Sequence, residues 1–287
     1  MRVTKTLTIS ALALVAALTM AGCAAEDEAS APVDTEATFA AGSTMAKLNE
    51  AQKITIGTKF DQPLFGQVDA DGKPQGFDVE VGKLIAAKLG IPASGITWTE
   101  TVSANREPYI QAGQVDLVVA TYTINDERKK VISFAGPYYE AGQDLLVLAD
   151  NPEGIKGPED LTGKAVCTVS GSTSEENIKE YTDDIIAAAG YADCLEPLRT
   201  GKVVAVTTDN VILAGLADQN QPEFEVVNAP FTKEPYGIGL KKDDTDFRTF
   251  INDTLEASYE DGSWVKAWEA TAGKVLDTPE PPAVDRS

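Results

Sequence analysis

Arg128 lies in a run, Thr121-Tyr122-Thr123-Ile124-Asn125-Asp126-Glu127-Arg128-Lys129-Lys130, that follows an apolar stretch ending at Ala120. A guanidinium is a planar fork that matches a carboxylate through paired hydrogen bonds. Asp209 stands where an apolar stretch gives way to the helical pattern 211–219, and its carboxylate suits an ammonium. Ser170-Gly171-Ser172-Thr173-Ser174 ends one strand pattern and opens a helix, so the backbone N–H groups of Ser172 and Thr173 can form an anion site. A small zwitterion needs these parts, because burying either of its charges unpaired costs several kcal/mol. Each part also has a plainer reading from spacing alone. Arg128 reads as a solvated member of a charged run, and Asp209 and Ser172 read as helix N-caps.

Composition narrows the chemistry. The 287 residues contain no His, which removes Ser-His-Asp and Cys-His triads and His-ligated metal sites. Three Cys cannot build a four-Cys zinc site, and no cofactor is implied. A net charge of −21 argues against nucleic acid as a partner. Arg2 and Lys5 precede an apolar stretch from about Leu7 to Met20, too short for a comfortable membrane span and built like a secretory signal. It ends in Thr19-Met20-Ala21-Gly22-Cys23, which looks like a bacterial lipobox. That resemblance implies removal of residues 1–22 and acylation of Cys23, anchoring the protein by lipid to the outer face of the cell membrane. Cys167 and Cys194 then remain in an oxidising compartment, where an even remainder favours a disulfide over two separate buried thiols.

The elements that must position these residues follow from periodicity. Residues 23–46 are polar and poor in large apolar side chains, and read as a flexible tether. Residues 277–287 are acidic and Pro-rich and read as a loose tail. Strand patterns occur at 53–57, 96–99, 115–120, 144–149, 164–169, 203–207, 223–227 and 236–240. Helical patterns lie between them and at 246–259 and 263–270. Apolar strands alternating with helices predict an α/β fold, with parallel strands covered on both faces. Asp69-Ala70-Asp71-Gly72 has the start of a calcium loop but lacks its remaining ligands, so it reads as a hairpin turn. The folded part, about 47–276, is long for one domain and natural for two lobes.

The segment Val119–Lys130 resembles the ligand segment of the polar amino-acid-binding proteins of ABC importers, the family 3 solute-binding proteins. Ile56-Gly57-Thr58, Gly76-Phe77-Asp78-Val79-Glu80, Phe134-Ala135-Gly136-Pro137-Tyr138-Tyr139, Asp160-Leu161-Thr162-Gly163-Lys164 and Tyr236-Gly237-Ile238-Gly239-Leu240 fit the same family in order. Lys59-Phe60-Asp61-Gln62-Pro63, Asn105-Arg106-Glu107-Pro108 and Cys167 with Ser170-Gly171-Ser172-Thr173 are similar to the Gram-positive glutamate-binding lipoproteins. The resemblance implies the two-lobed type II periplasmic-binding-protein fold, with a two-strand hinge closing on ligand. Lobe 1 would span 47–145 plus 232–276, and lobe 2 would span 146–231.

The resemblance also implies roles. Arg128 holds an α-carboxylate and Asp209 an α-ammonium. The Ala120 carbonyl, Thr121 and Thr123 share both groups, and Ser172 and Thr173 offer backbone donors. Lys59 and Arg106 are expected to hold a side-chain carboxylate, so the expected ligand is glutamate or aspartate. Gln62 replaces an aromatic ring common in relatives, which suits a polar ligand end. The expected partners are the amino acid, the importer's membrane subunits and the lipid bilayer, and the expected state is a monomer. The alternatives are a glutamine, asparagine or general polar amino-acid receptor, and a dehydratase-like enzyme with Glu107 as its acid/base.

Overall fold

The structure, a computed structural model, describes residues 32–287, so the signal segment 1–22 and Cys23 lie outside the described residues. The first lobe begins with strands β1 (Ile54–Thr58), β2 (Asp61–Gln62), β3 (Gly66–Val68), β4 (Pro74–Gln75), β5 (Ile96–Glu100), β6 (Leu117–Val118) and β7 (Ser133–Ala141). The second contains β8 (Gln143–Leu148), β9 (Val166–Val169), β10 (Ile185–Ala188), β11 (Ala205–Asp209) and β12 (Phe224–Val226), and the chain returns to the first through β13 (Glu234–Leu240).

Each lobe has a five-stranded sheet, in the orders β5-β1-β6-β13-β7 and β10-β9-β11-β8-β12. The expected parallel arrangement holds for β5, β1 and β6, and for β10, β9 and β11. The strands that carry the chain across the hinge, β7, β8 and β13, pair antiparallel instead. Because β8 starts at Gln143 and pairs with β11, lobe 2 begins about three residues earlier than the sequence boundary of 146. Gly142 marks the crossing. A Cβ there would lie 2.8 Å from the Thr232 carbonyl and 2.9 Å from Pro230, so the two crossing segments touch where only glycine fits.

Tyr139 stacks on Trp268 at 5.0 Å between ring centroids, and Phe77 meets Trp264 and Trp268 edge-on. Tyr139 and Tyr236, from the two hinge strands, join this cluster. Rings of this size bury about 150–250 Å² each, and so fix β7 and β13 firmly in lobe 1. Cys167 and Cys194 form a disulfide with Cα atoms 5.5 Å apart. Asp69 accepts the amides of Asp71 and Lys73, closing the β3–β4 hairpin turn expected at that position.

Two segments expected to be loose make ordered contacts within the described residues. Phe39 packs edge-on against Phe250, the Asp34 amide donates to the Ala87 carbonyl, and the helix Thr44–Ala51 begins inside the stretch read as tether. One large ring supplies the burial that the polar composition concealed. At the other end the Asp285 amide donates to Gly136 O at 2.8 Å, and Arg286 binds Asp253 and Glu256, both at 2.6 Å. Val284 also packs against the core, but it is a single apolar side chain in an acidic, Pro-rich stretch, so hydropathy does not reveal the contact. Among the described residues no helix is long and apolar enough to cross a membrane.

Candidate functional site

The site residues cluster just past the C-terminal ends of the parallel strands, where open α/β sheets leave a crevice. Lys59 follows β1. Arg106 opens the helix Arg106–Gln111 after β5, and Ala120 to Thr123 follow β6. From the facing lobe, Ser172 and Thr173 follow β9, Tyr191 follows β10, and Asp209 ends β11. Gln62, Arg106, Thr121, Thr123, Ser172, Thr173 and Asp209 line one cavity between the lobes. Arg128, Lys59 and Ala120 lie behind its wall. A larger groove near β3 and β4 is lined by none of these residues.

Three cations converge on the lobe 1 wall. Arg128 is 7% exposed, which rules out the solvated reading. It donates to Thr123 O at 2.7 Å and, across the cleft, to Gly171 O at 3.3 Å. It also pairs with Glu107 at 3.1 Å, so Glu107 is held by Arg128 rather than by its neighbour Arg106. Arg106, 3% exposed, donates to Ser103 O, Ala120 O and Thr121 O, and reaches Gly171 O at 3.5 Å. Both guanidiniums lie over the Tyr122 ring, at 4.2 and 5.0 Å from its centroid. A ring face attracts cations and so helps hold two like charges close together. Lys59 is buried and donates to Ser103 Oγ at 2.8 Å. Burial, then the charge of Arg106, pushes its ammonium down from 10.5 to about 7.

Asp209 supplies the opposite sign. It occupies the N-cap position of the helix Asn210–Gln219, yet its side chain makes no capping bond. The Tyr236 hydroxyl donates to its Oδ2 at 2.6 Å, and its Oδ1 is buried without a partner. Burial, followed by the nearby Glu234 charge, raises its carboxyl from 3.8 to about 7. An unpartnered buried carboxylate oxygen costs stability unless something cationic arrives to meet it. That favours the ligand role over the plain N-cap.

The anion site expected at Ser172 and Thr173 is only half available. The Ser172 amide and hydroxyl both donate to Val169 O, and its Oγ accepts the Glu175 amide. The Thr173 amide sits at the first helical position, where a helix has no internal acceptor for it. Thr121 has φ 43°, unusual for a β-branched residue. Its amide donates to Asp78 Oδ2 at 2.8 Å, while its hydroxyl donates to Gln62 Oε1 at 2.9 Å. Gln62 therefore orients the loop as well as lining the cavity.

Sequence reasoning missed Ser103, Tyr191, Asp78, Glu234 and Tyr236. The first two lie in turns without a distinctive motif. Asp78 and Tyr236 stand among apolar residues, and a polar group embedded there is the available signal that it carries a partner, whereas Glu234 follows Thr232 and Lys233 and gives no such signal.

Residues 54–270 match the family model of bacterial extracellular solute-binding proteins, family 3. The chain is 41% identical over 227 residues to the glutamate-binding protein GluB of Corynebacterium efficiens, covering 75% of this chain and 77% of that one. It is 38% identical over 225 residues to the ABC transporter glutamine-binding protein GlnH of Bacillus subtilis, covering 77% and 81%. Among solved structures, the solute receptor for L-cysteine of Neisseria gonorrhoeae superposes with a TM-score of 0.77 at 29% identity, covering 84% of this chain and 99% of that one. With its two lobes and crossing strands of the type II amino-acid-binding fold, the chain belongs to the bacterial extracellular solute-binding proteins of family 3.

Proposed function

We propose that this chain is the extracytoplasmic receptor of an ABC importer, that it captures an L-amino acid with glutamate preferred, and that an acylated Cys23 anchors it to the membrane. The observation that carries the ligand is the charge layout of the cleft. Lys59, Arg106 and Arg128 gather on one lobe, and among the described residues only Arg128 has a carboxylate within ion-pair distance. Asp209 faces them from the other lobe with one oxygen unpartnered. A ligand with two carboxylates and one ammonium complements that layout, whereas glutamine leaves one buried cation uncompensated. The two relatives from Corynebacterium efficiens and Bacillus subtilis divide between glutamate and glutamine, so selectivity must come from these side chains.

The cleft's parts serve binding. Glu107, the spare carboxylate a dehydratase would need, is held by Arg128. Delivery then requires that the importer distinguish the closed lobes from the open ones. Calorimetry with glutamate, aspartate, glutamine and asparagine tests the reading. Arg106→Ala should weaken glutamate more than glutamine by about 1–3 kcal/mol, the range for charge-assisted hydrogen bonds. Equal losses for both ligands, or equal wild-type affinities, would make the protein a general polar amino-acid receptor. Intact-mass analysis of the membrane-extracted protein tests the lipid on Cys23.

A further inference from the structure

Glu234 opens the second hinge strand and is 2% exposed. Four donors converge on its carboxylate. Thr123 Oγ1 and Thr173 Oγ1 reach Oε2 at 2.7 and 2.8 Å, while Thr232 Oγ1 and Asn177 Nδ2 reach Oε1 at 2.8 and 3.2 Å. Thr123 comes from lobe 1, where it bridges to Tyr236 of β13 and the next amide, that of Ile124, donates to Pro235 O. Thr173 comes from lobe 2, so one carboxylate joins the two walls of the cleft.

A hydroxyl has one proton and two lone pairs, and an ionised carboxylate only accepts. Thr123 and Thr173 must therefore both turn their protons toward Glu234. Their oxygens lie 3.5 Å apart, and neither has a proton left for the other. What each can offer the cavity is a lone pair. Asp209, the other acceptor on that wall, likewise presents an oxygen without a proton donor.

We propose that Glu234 is a positioning residue that fixes the hydrogen-bond polarity of the cleft, holding Thr123 and Thr173 as acceptors so that the site selects ligands carrying a donor-rich ammonium. This rests on reading the cleft as an amino-acid site. Glu234→Gln replaces two acceptor oxygens by one oxygen and an NH2 group. That NH2 needs an acceptor, so one threonine hydroxyl turns and aims its proton into the cavity. An ammonium meets that proton unfavourably, whereas a ligand hydroxyl can accept it.

The experiment compares glutamate with 2-hydroxyglutarate, which keeps both carboxylates and exchanges the ammonium for a hydroxyl. Wild type should prefer glutamate strongly, and Glu234→Gln should shrink that preference by about tenfold or more. Thr123→Val should also shrink it in wild type, but add little in the Glu234→Gln background. If Glu234→Gln weakens both ligands equally and leaves their ratio intact, Glu234 only braces the hinge and the proposal fails. Should that variant not fold, Thr123→Val and Thr173→Val in the wild-type background decide, and an unchanged ratio in both overturns the proposal. Failure of the wild type to bind any α-amino acid would instead remove the functional reading beneath it.

Discussion

Asp209 shows how a single side chain separates stability from function. Its neighbours Tyr139, Tyr191 and Tyr236 crowd it from both hinge and lobe 2, and burial, followed by its charge, pushes all three phenols up. Asp209→Asn keeps the shape and an acceptor for the Tyr236 hydroxyl, but removes the charge. Calorimetry should show amino-acid binding weakened by about 3–5 kcal/mol, the cost of leaving a buried ligand charge unpaired. Thermal unfolding of the ligand-free variant should be no lower than wild type, because a neutral amide that still accepts from Tyr236 replaces a buried ionisable carboxyl. Binding retained within tenfold would show that the ammonium is met elsewhere. Asp78 is the contrasting case. Both of its oxygens are satisfied, by the Tyr138 hydroxyl and the Thr121 amide, so its task is to hold the loop.

At the scale of elements, the loops after the parallel strands do the work, and their contacts set how far the lobes close. Gly171, with φ +75°, packs against lobe 1, where an added Cβ would lie 2.9 Å from Ala104 Cα. Its carbonyl also receives both arginines. Gly171→Ala combines a strained backbone with a clash in the closed form alone. Ligand affinity should fall about tenfold or more, while the ligand-free protein loses only the roughly 1 kcal/mol of backbone strain that both forms share. A variant that binds like wild type would mean closure does not bring these loops together. The disulfide closes a separation of 27 residues in lobe 2 and tethers the turn that presents Tyr191. Replacing both cysteines with serine should cost about 3–4 kcal/mol in chemical denaturation by the chain-entropy model. A loss below about 1 kcal/mol would argue that the turn is held by packing instead. Strands with largely apolar runs, such as 164–169 and 236–240, were legible because burial on both faces leaves a near-continuous signature. Strand β7 was not, since Gly136-Pro137 interrupts its pattern and its pairing with β13 is irregular nearby. Strand β10 is short and half-exposed at a sheet edge, and so lacked the signal too. The burial of Arg128 and the uncapped state of Asp209 left no mark in the spacing, and the roles proposed for them rest on the family resemblance. Spacing alone could not tell a buried fork from a solvated charge, or a free carboxylate from a cap.

The whole molecule carries a net charge of −21, yet Arg106 lines its cleft, with Lys59 and Arg128 bonded to the residues Ser103 and Thr123 that line it. Closure buries both signs together, and this links binding to pH. Asp209 is raised to about 7 by burial and Glu234, with partial relief from Tyr236, Arg106 and Arg128. Its contribution to ligand-free stability is therefore full below its ordinary 3.8 and is lost as pH rises through about 7. Lys59 is lowered to about 7 by burial, Arg106 and Arg128 against the pull of Asp61 and Asp78. Its contribution is present above 10.5 and is lost as pH falls through about 7. Binding reverses both, since a ligand ammonium needs Asp209 ionised and a ligand carboxylate needs Lys59 charged. Below about pH 7, binding must release a proton from Asp209. Above it, glutamate must draw one onto Lys59. Glutamate affinity should therefore peak near neutrality and fall on either side by up to about tenfold per pH unit. Glutamine makes no demand on Lys59, so its affinity should fall on the acid side only. Calorimetry in buffers of different ionisation heat reads this directly, as proton release at pH 6 for both ligands and proton uptake at pH 8 for glutamate alone. Equal proton uptake at pH 8 with glutamine would show that Lys59 charges on closure itself, and would remove it from the side-chain carboxylate.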